Sequence, residues 1–286
     1  KKKYSNNLRL LPKNAIFIKK ILQLTVSEYI KQLLSMEEYS FSLDEVIMQT
    51  QKTPVAVRSE LSRLVVKREI VSLRQGFYLI IPPRYMGMQK LPIQLYCEKL
   101  FGKLNRKYYL AFYTAAKFHG AGHQQVQCDY IVTEIPKMLD ISKNSIEIRF
   151  FTTSNWTERN IQLKKSDAGM FKVSSPALTA VDLIHYQTKL GGMNRMLATI
   201  EELAEEIMED DLTELLNWYP NQSTIQRLGY LFDELKLSSK MANLIFEHLN
   251  RTFFFPVLLC PKPKKKPGMV NNRWKVSVNI NLESDI

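Results

Sequence analysis

The 286-residue sequence predicts an α+β fold: a small N-terminal domain of helices and one β-hairpin, then a larger mixed α/β domain whose C-terminal half is rich in helix. Two observations predict the small domain: consecutive capped helical patterns over residues 42–65, and a hairpin pattern with glycine at its turn over residues 70–81. A third predicts the larger domain, because strand-like alternation from about residue 108 gives way to a helical region over residues 174–250.

The two capped helices are predicted by their N-terminal signals. Ser42 is a good N-cap, and Glu45 completes a capping box for a helix through Met48. After a polar break, Thr53 can cap a second helix with Pro54 at its first position, where the missing N–H has no cost. The second helix has one apolar stripe, formed by Val57, Leu61, Leu64 and Val65. An earlier helix is predicted from Thr25 or Ser27 to about Met36.

The segment that follows predicts a hairpin. Ile70–Ile81 divides into two strands around a turn at Arg74–Gly76, and Pro82-Pro83 closes it. Three helices followed by a basic-tipped hairpin form the arrangement of a winged helix-turn-helix. The last two helices make up the helix-turn-helix motif, and the second of them lies in the major groove of duplex DNA. The residues predicted to contact DNA are Lys52, Thr53, Arg58, Ser59, Arg63, Lys67, Arg74 and Gln75. The alternative is a solvated face, and winged helices also serve as protein-binding modules.

The charge distribution favours a polyanionic partner. The net charge is +12, and residues 1–90 hold 16 Lys/Arg against 7 Asp/Glu, so +9 of it lies there. The basic extension before Thr25 could contact the DNA backbone or could be solvated. We place the DNA-binding domain at residues 1–89 and the second domain at residues 90–286.

Cysteine usage and hydropathy predict a cytoplasmic protein. The three cysteines, Cys97, Cys128 and Cys260, are too few and too far apart for a disulfide framework, which indicates a reducing compartment. No run of 18 apolar residues is present, so no membrane span is predicted.

The second domain is predicted to alternate strands and helices before it becomes helical. Helices are predicted over residues 91–104, 177–186, 194–208, 212–218, 223–235 and 239–249, and strands over 127–133, 145–152, 170–173 and 272–280. Residues 108–120 begin with an aromatic, strand-like pattern that passes into an Ala-rich helix, which Gly120 ends.

Evidence for catalysis is weak, and we predict a protein without enzymatic activity, metal or cofactor. His119 and His123, with Cys128 after them, have a spacing that could hold a metal, but Gly120 and Gly122 should break a helix between them. Asp129 with Glu147 on a neighbouring predicted strand leaves a metal-dependent nucleic-acid enzyme as an alternative.

Two charged segments leave other roles open. Residues 201–214 hold eight acidic residues and no basic one, which is the opposite of a DNA surface. They could face solvent or a basic protein partner, so a protein-binding adaptor that does not bind DNA is a further alternative. The Lys-rich loop 262–266 could contact phosphate or remain solvated.

Several sequence blocks in order resemble one family. They are the predicted winged domain and residues 108–120 (YYLAFYTAAKFHG), 173–183 (VSSPALTAVDL), 191–195 (GGMNR), 226–231 (QRLGYL) and 273–279 (RWKVSVN). Together they resemble the AbiEi-type antitoxins of bacterial type IV toxin–antitoxin, or abortive-infection, systems, over nearly the whole chain from about Ser27.

The resemblance implies two functions. The N-terminal domain would repress its own operon by binding inverted repeats in the promoter. Separately from the resemblance, a palindromic operator would need two copies of the protein on DNA, and the protein can be a monomer in solution. The C-terminal domain would counteract a nucleotidyltransferase-like toxin, with direct contact left open. An antitoxic surface would involve Ser174, Ser175, Asp182, Arg227 and Tyr230, whose alternative role is helix capping and core packing.

Overall fold

The computed structural model describes residues 24–122, 127–262 and 264–283, which divide after Leu91 into an N-terminal unit and a C-terminal unit. The basic extension over residues 1–23, His123 and Pro263 of the Lys-rich loop lie outside the described residues. The fold class is α+β, as predicted. None of the described helices combines the length and the apolar character that a membrane crossing requires.

The N-terminal unit alternates short helices with the strands of one small antiparallel sheet. Its elements are α1 (Val26–Ser35), β1 (Ser40–Ser42), α2 (Leu43–Thr50), α3 (Pro54–Val66), β2 (Ile70–Arg74) and β3 (Phe77–Ile80). The strand order is β1-β3-β2, so the hairpin β2–β3 takes up the short strand β1 at its edge.

Local capping explains where these helices begin. The Ser42 side chain accepts a hydrogen bond from the Glu45 N–H, and the Glu45 side chain accepts one from the Ser42 N–H, which confirms the predicted capping box. Thr25 caps α1 in the same way, and Thr53 caps α3 with Pro54 at its first position. A common apolar core joins α1, α2, α3 and the sheet: Val26, Ile30, Leu33, Phe41, Val46, Val57, Leu61, Ile70 and Ile80.

The C-terminal unit is a mixed sheet with helices. Its elements are α4 (Cys97–Leu104), β4 (Tyr108–Leu110), α5 (Phe112–Phe118), β5 (Cys128–Glu134), β6 (Ile141–Lys143), β7 (Ile146–Thr153), β8 (Ile161–Ser166), β9 (Gly169–Ser174), α6 (Pro176–His185), α7 (Met193–Glu206), α8 (Glu209–Trp218), α9 (Gln222–Glu234), α10 (Ser239–Asn250), β10 (Val257–Leu258) and β11 (Val276–Ser277).

The larger sheet has the strand order β6-β7-β5-β4-β9-β8. Within this sheet, the adjacent strands β5 and β7 are parallel, and so are β4 and β9. The other adjacent strands are antiparallel. Helix α6 is buried over residues 176–184 and packs against α5, α7 and α9, so it lies at the centre of the helical half.

The sequence analysis missed two strands of this unit and made one predicted strand too long. Strands β6 and β8 were not predicted, and the predicted final strand over residues 272–280 pairs only at Val276–Ser277, with β10. The helix predicted over residues 91–104 begins with a separate 3-10 turn at Ile93–Leu95. The remaining helices of this unit fall within a few residues of their predicted bounds.

The C-terminal segment completes the core of this unit. Trp274 is only 1% exposed, and its indole N–H donates to the Asp233 carboxylate at 2.7 Å. Its ring lies against Gly229 of α9, where even a Cβ atom would overlap it. Arg273 forms two hydrogen bonds of 2.7 Å with the same carboxylate, so the segment is held on α9 by packing and by charge.

Candidate functional site

The exposed face of α3 brings three of the predicted DNA-contact residues together. Ser59, Arg63 and Lys67 follow one another at a spacing of four residues, and all three are exposed. At about 100° of rotation per residue, this row lies roughly 130° around the helix from the stripe of Val57, Leu61 and Leu64, which packs in the core. The core therefore determines which side of α3 faces outward.

This face forms a shallow depression of about 520 Å³, lined by Ser59, Ser62, Arg63, Val66 and Lys67. Arginine can form two hydrogen bonds with a guanine edge, lysine can neutralise a phosphate, and serine can donate to either. Val66 is 81% exposed, and an aliphatic side chain at such a position can contact a thymine methyl group. Ser62 and Val66 were not among the predicted contacts, although helical spacing places them between the others.

Three further predicted residues lie at the margins of α3. The Lys52 ammonium is 2.6 Å from the Glu60 carboxylate, so its charge is partly neutralised. The Thr53 hydroxyl accepts from the Ala56 N–H at 3.4 Å and so has a capping role. Arg58 is exposed on the flank of the face, between its centre and the core stripe.

The tip of the hairpin is fixed to the start of α2. Gln75 is exposed, Arg74 is half-buried, and Gly76 has a φ of 69°, a left-handed conformation that glycine adopts readily. The Gly76 carbonyl accepts from the Leu43 N–H at 2.9 Å. The tip is thus held by the same unit that positions α3.

The predicted antitoxic surface requires correction, because all five of its residues are buried. Ser175 caps α6 by accepting from the Leu178 N–H, and the Ser174 hydroxyl lies 2.7 Å from that of Thr179. Their roles are those of a helix cap and a core hydrogen bond.

Arg227 and Tyr230 also act within the fold. The Arg227 guanidinium donates to the Leu258 carbonyl at 2.9 Å, which ties α9 to β10. The Tyr230 hydroxyl donates to Glu234 of the same helix at 3.0 Å. Buried groups that already have these partners cannot form a contact surface, although Asp182 differs from the other four because it faces a cavity.

We call this space the Asp182 cavity. It has a volume of about 380 Å³ and lies where the ends of β7, α6 and α8 meet. Its walls are mainly aromatic and neutral polar side chains: Tyr109, Val132, Thr152, Thr153, Ser154, Asn155, Trp156, Thr157, Leu178, Asp182, His185, Tyr186, Trp218, Tyr219, Pro220, Asn221 and Gln222. Ser154, Asn155 and Pro220 are exposed, so the cavity opens to solvent on their side.

Asp182 has an unusual environment within this cavity. It is 5% exposed, and the Tyr109 hydroxyl donates to its carboxylate at 3.0 Å. Burial raises the pKa of Asp182 from its ordinary 3.8 to about 7, and the hydrogen bond from Tyr109 opposes that shift. Burial also lowers the pKa of His185 in the same wall, with help from the charges of Arg227 and Lys189.

The residues of the nuclease alternative are on adjacent strands but face apart. In the parallel pair β5–β7, Cys128 is opposite Glu147 and Asp129 is opposite Ile148. Since side chains alternate along a strand, Asp129 and Glu147 point to opposite faces of the sheet. Asp129 is buried and Glu147 is exposed, which agrees with that parity. The two carboxylates therefore cannot share a metal ion, and the alternative is wrong.

His119 and Cys128, whose spacing was considered for a metal site, do not form one with other ligands in the part of the chain that the structure describes. His119 is buried, and its Nε2 atom is 2.7 Å from the Ser174 carbonyl oxygen. His123 is outside the described residues. No three His, Cys, Asp or Glu side chains among those described come together as metal ligands would.

The acidic segment 201–214 is mostly solvated and partly structural. Glu205, Glu206 and Asp210 are exposed. Asp211 instead accepts hydrogen bonds from the Ala177 N–H and from the Asn160 side chain, which joins α8 to the start of α6.

One family model matches part of the C-terminal unit. Residues 109–234 match the family model of the AbiEi antitoxin C-terminal domain. This range includes every residue that lines the Asp182 cavity. A search of curated protein sequences finds no match.

Two solved structures were compared with the chain. The crystal structure of the RV2827C protein from Mycobacterium tuberculosis has a TM-score of 0.62 and 14% sequence identity, and the match covers 89% of this chain and 91% of that chain. At this identity the likeness shows a shared fold alone. An antigenic nucleotidyltransferase-like protein from Paracoccidioides brasiliensis has a TM-score of 0.31 and 11% identity, over 50% of this chain and 89% of that chain. That similarity is too low to support an argument.

Proposed function

We propose that this chain, an AbiEi-type antitoxin by the domain in its residues 109–234, also binds duplex DNA through α3 and represses its own operon. The observation that carries the DNA-binding proposal is the exposed face of Ser59, Ser62, Arg63, Val66 and Lys67, directly opposite the core stripe of the same helix. We assign the N-terminal unit as a winged helix-turn-helix, with α2 and α3 as the motif and β2–β3 as the wing.

The charge around this face supports the assignment. Between residues 52 and 74, six Lys/Arg stand against two Asp/Glu. Seven of the 16 basic residues before residue 91 belong to residues 1–23, which lie outside the described residues. We propose that this extension adds non-specific affinity for phosphate, and that α3 supplies base readout.

The proposal is tested by fluorescence anisotropy with the DNA immediately upstream of the gene and with a scrambled duplex, each at several salt concentrations. We expect the upstream duplex to bind at least about a thousandfold more tightly. Arg63→Gln should weaken that binding and reduce the slope of log affinity against log salt by about one if Arg63 contacts a phosphate. If it reads a base, specificity should fall instead.

A matched control is Arg251→Gln, which removes an exposed arginine from the C-terminal unit and should leave binding unchanged. Equal affinity for both duplexes would refute a repressor. Wild-type affinity and specificity in Arg63→Gln would exclude Arg63 from the interface. On inverted repeats we expect two bound copies of the protein. Their half-sites should be separated by one helical turn of DNA (~34 Å) or a multiple of it.

We further propose that the C-terminal unit counteracts a nucleotidyltransferase-like toxin, as the resemblance to AbiEi-type antitoxins implies. The family match supports an antitoxin role for this unit. The test is growth of cells that express the neighbouring gene with and without this protein. The full chain carrying Arg63→Gln should still restore growth, because that residue lies on the N-terminal unit. Loss of rescue in this variant, with its fold intact, would refute a division of labour between the units.

A further inference from the structure

The Asp182 cavity has the composition of a site for a cation. A buried carboxyl group lies in a wall of aromatic rings, and none of the residues that line the cavity is a lysine or an arginine. The Asp182 carboxylate accepts a hydrogen bond from the Tyr109 hydroxyl, which is a neutral donor. A cationic ligand would satisfy both the carboxylate and the faces of the rings.

Two other aromatic side chains of the wall, Trp218 and Tyr186, already have partners for their polar atoms. The Trp218 indole N–H donates to Asn160 at 2.6 Å, and the Tyr186 hydroxyl donates to the Thr152 carbonyl at 3.0 Å. The rings of Tyr109 and Trp156 are neighbours, with centroids 5.6 Å apart. These side chains therefore offer the cavity π surface more than hydrogen-bonding groups.

We propose that the Asp182 cavity binds the guanidinium group of an arginine side chain. Guanidinium is planar, donates two parallel hydrogen bonds to a carboxylate and stacks on tyrosine and tryptophan faces, whereas an ammonium ion is compact and more strongly hydrated. The volume of about 380 Å³ is in the range of small-ligand pockets and accommodates the group with its aliphatic stem.

Other ligand classes fit the walls less well. A phosphate or carboxylate ligand would meet Asp182 without any lysine or arginine in the lining to pair with it. An apolar ligand would leave the buried carboxyl group without a charged partner. The α-carboxylate of free arginine also lacks a cation here, so an arginine residue within a polypeptide is favoured. Neutral side chains at the rim, such as Asn155, Asn221 and Gln222, can hydrogen-bond to its peptide groups.

The test uses three probes with the full chain at pH 8, where the Asp182 carboxyl is mainly ionised because its pKa is about 7. The probes are N-acetyl-arginine methylamide, its neutral citrulline analogue and free L-arginine. Binding is followed by the fluorescence of Trp156 and Trp218, which line the cavity. The arginine probe should bind at least about tenfold more tightly than the citrulline probe.

Asp182→Asn should abolish that preference, and Asp210→Asn, which removes an exposed acid from α8, should preserve it. Equal affinity for the arginine and citrulline probes, or no saturable binding of the arginine probe, would overturn the proposal. If Asp182→Asn does not fold, the affinities of the unaltered protein for the arginine and citrulline probes still test the proposal. Tighter binding of the blocked probe than of free L-arginine identifies a residue in a polypeptide as the source, and the reverse identifies the free amino acid.

Discussion

Replacing Asp182 with asparagine should give the C-terminal unit an advantage in unfolding free energy over the unaltered protein, and this advantage should grow as the pH rises. Asparagine has nearly the same shape and can still accept the hydrogen bond from Tyr109, but it carries no titrating group. The substitution therefore isolates the effect of ionising a carboxyl group that is 5% exposed.

The sign of the effect follows from the two pKa values. The carboxyl group titrates at about 7 in the folded protein and at its ordinary 3.8 when unfolded. Because the folded state holds the proton more tightly, this group's contribution to stability is fully present below about pH 4. It is lost as the pH rises to 7 and beyond. The full difference of about three pKa units corresponds to about 4 kcal/mol, and about 2.5 kcal/mol of it falls between pH 5 and pH 8.

The assay is urea unfolding followed by tryptophan fluorescence at several pH values. All three tryptophans, at positions 156, 218 and 274, belong to the C-terminal unit, so the signal reports on that unit. The free energy of unfolding is extrapolated linearly to zero urea for each protein. His185 shares the cavity wall but is present in both proteins, so its titration largely cancels in the difference.

The difference in unfolding free energy between Asp182→Asn and the unaltered protein should grow by about 2.5 kcal/mol in favour of the variant from pH 5 to pH 8. The control Asp210→Asn, at an exposed position, should show little change over that interval. A difference for Asp182→Asn that stays constant with pH would mean that this carboxyl group ionises normally in the folded protein, and the reasoning about its burial would fail.

Three further outcomes are expected. Gly229→Ala should destabilise the C-terminal unit by about 2–3 kcal/mol in urea unfolding, because its Cβ would overlap the Trp274 ring; Gly102→Ala, with open space around its Cβ, should not destabilise it. Ser42→Ala should lower the stability of the N-terminal unit by about 1 kcal/mol, measured by thermal unfolding, and no loss would mean that the capping box contributes little. Lys52→Gln should weaken anisotropy-measured DNA binding by less than Arg63→Gln, because its charge is already paired with an acid; an equal loss would contradict that.

The helices were predictable because their signals are local. Ser42, Glu45, Thr53 and Pro54 act on backbone groups within one turn, so their effect does not depend on the rest of the fold. Strand β8, by contrast, was not predicted because its sequence carries no comparable local signal. It lies at the edge of the sheet and exposes much of its surface, and its apolar alternation stops after Leu163, because Lys164, Lys165 and Ser166 are all polar.

The position of Asp182 could not be predicted from periodicity. Helix α6 is buried on all sides over residues 176–184, so its sequence does not distinguish a core-facing position from one that faces a cavity. The relation between Asp129 and Glu147 depends on strand register, since a shift by one residue would place both on the same face. Register arises from pairing between distant segments and is not visible in either segment alone.

The packing of Trp274 on Gly229 has a consequence for the order in which the protein matures. The family match ends at residue 234, yet the ring that seals α9 comes from a segment well beyond it. A chain synthesised from its N-terminus has every residue of the N-terminal unit before it reaches residue 92. The C-terminal unit must wait for Trp274 and β11 before its core is closed. A nascent or truncated chain could thus hold a complete N-terminal unit while its C-terminal unit is still unfinished.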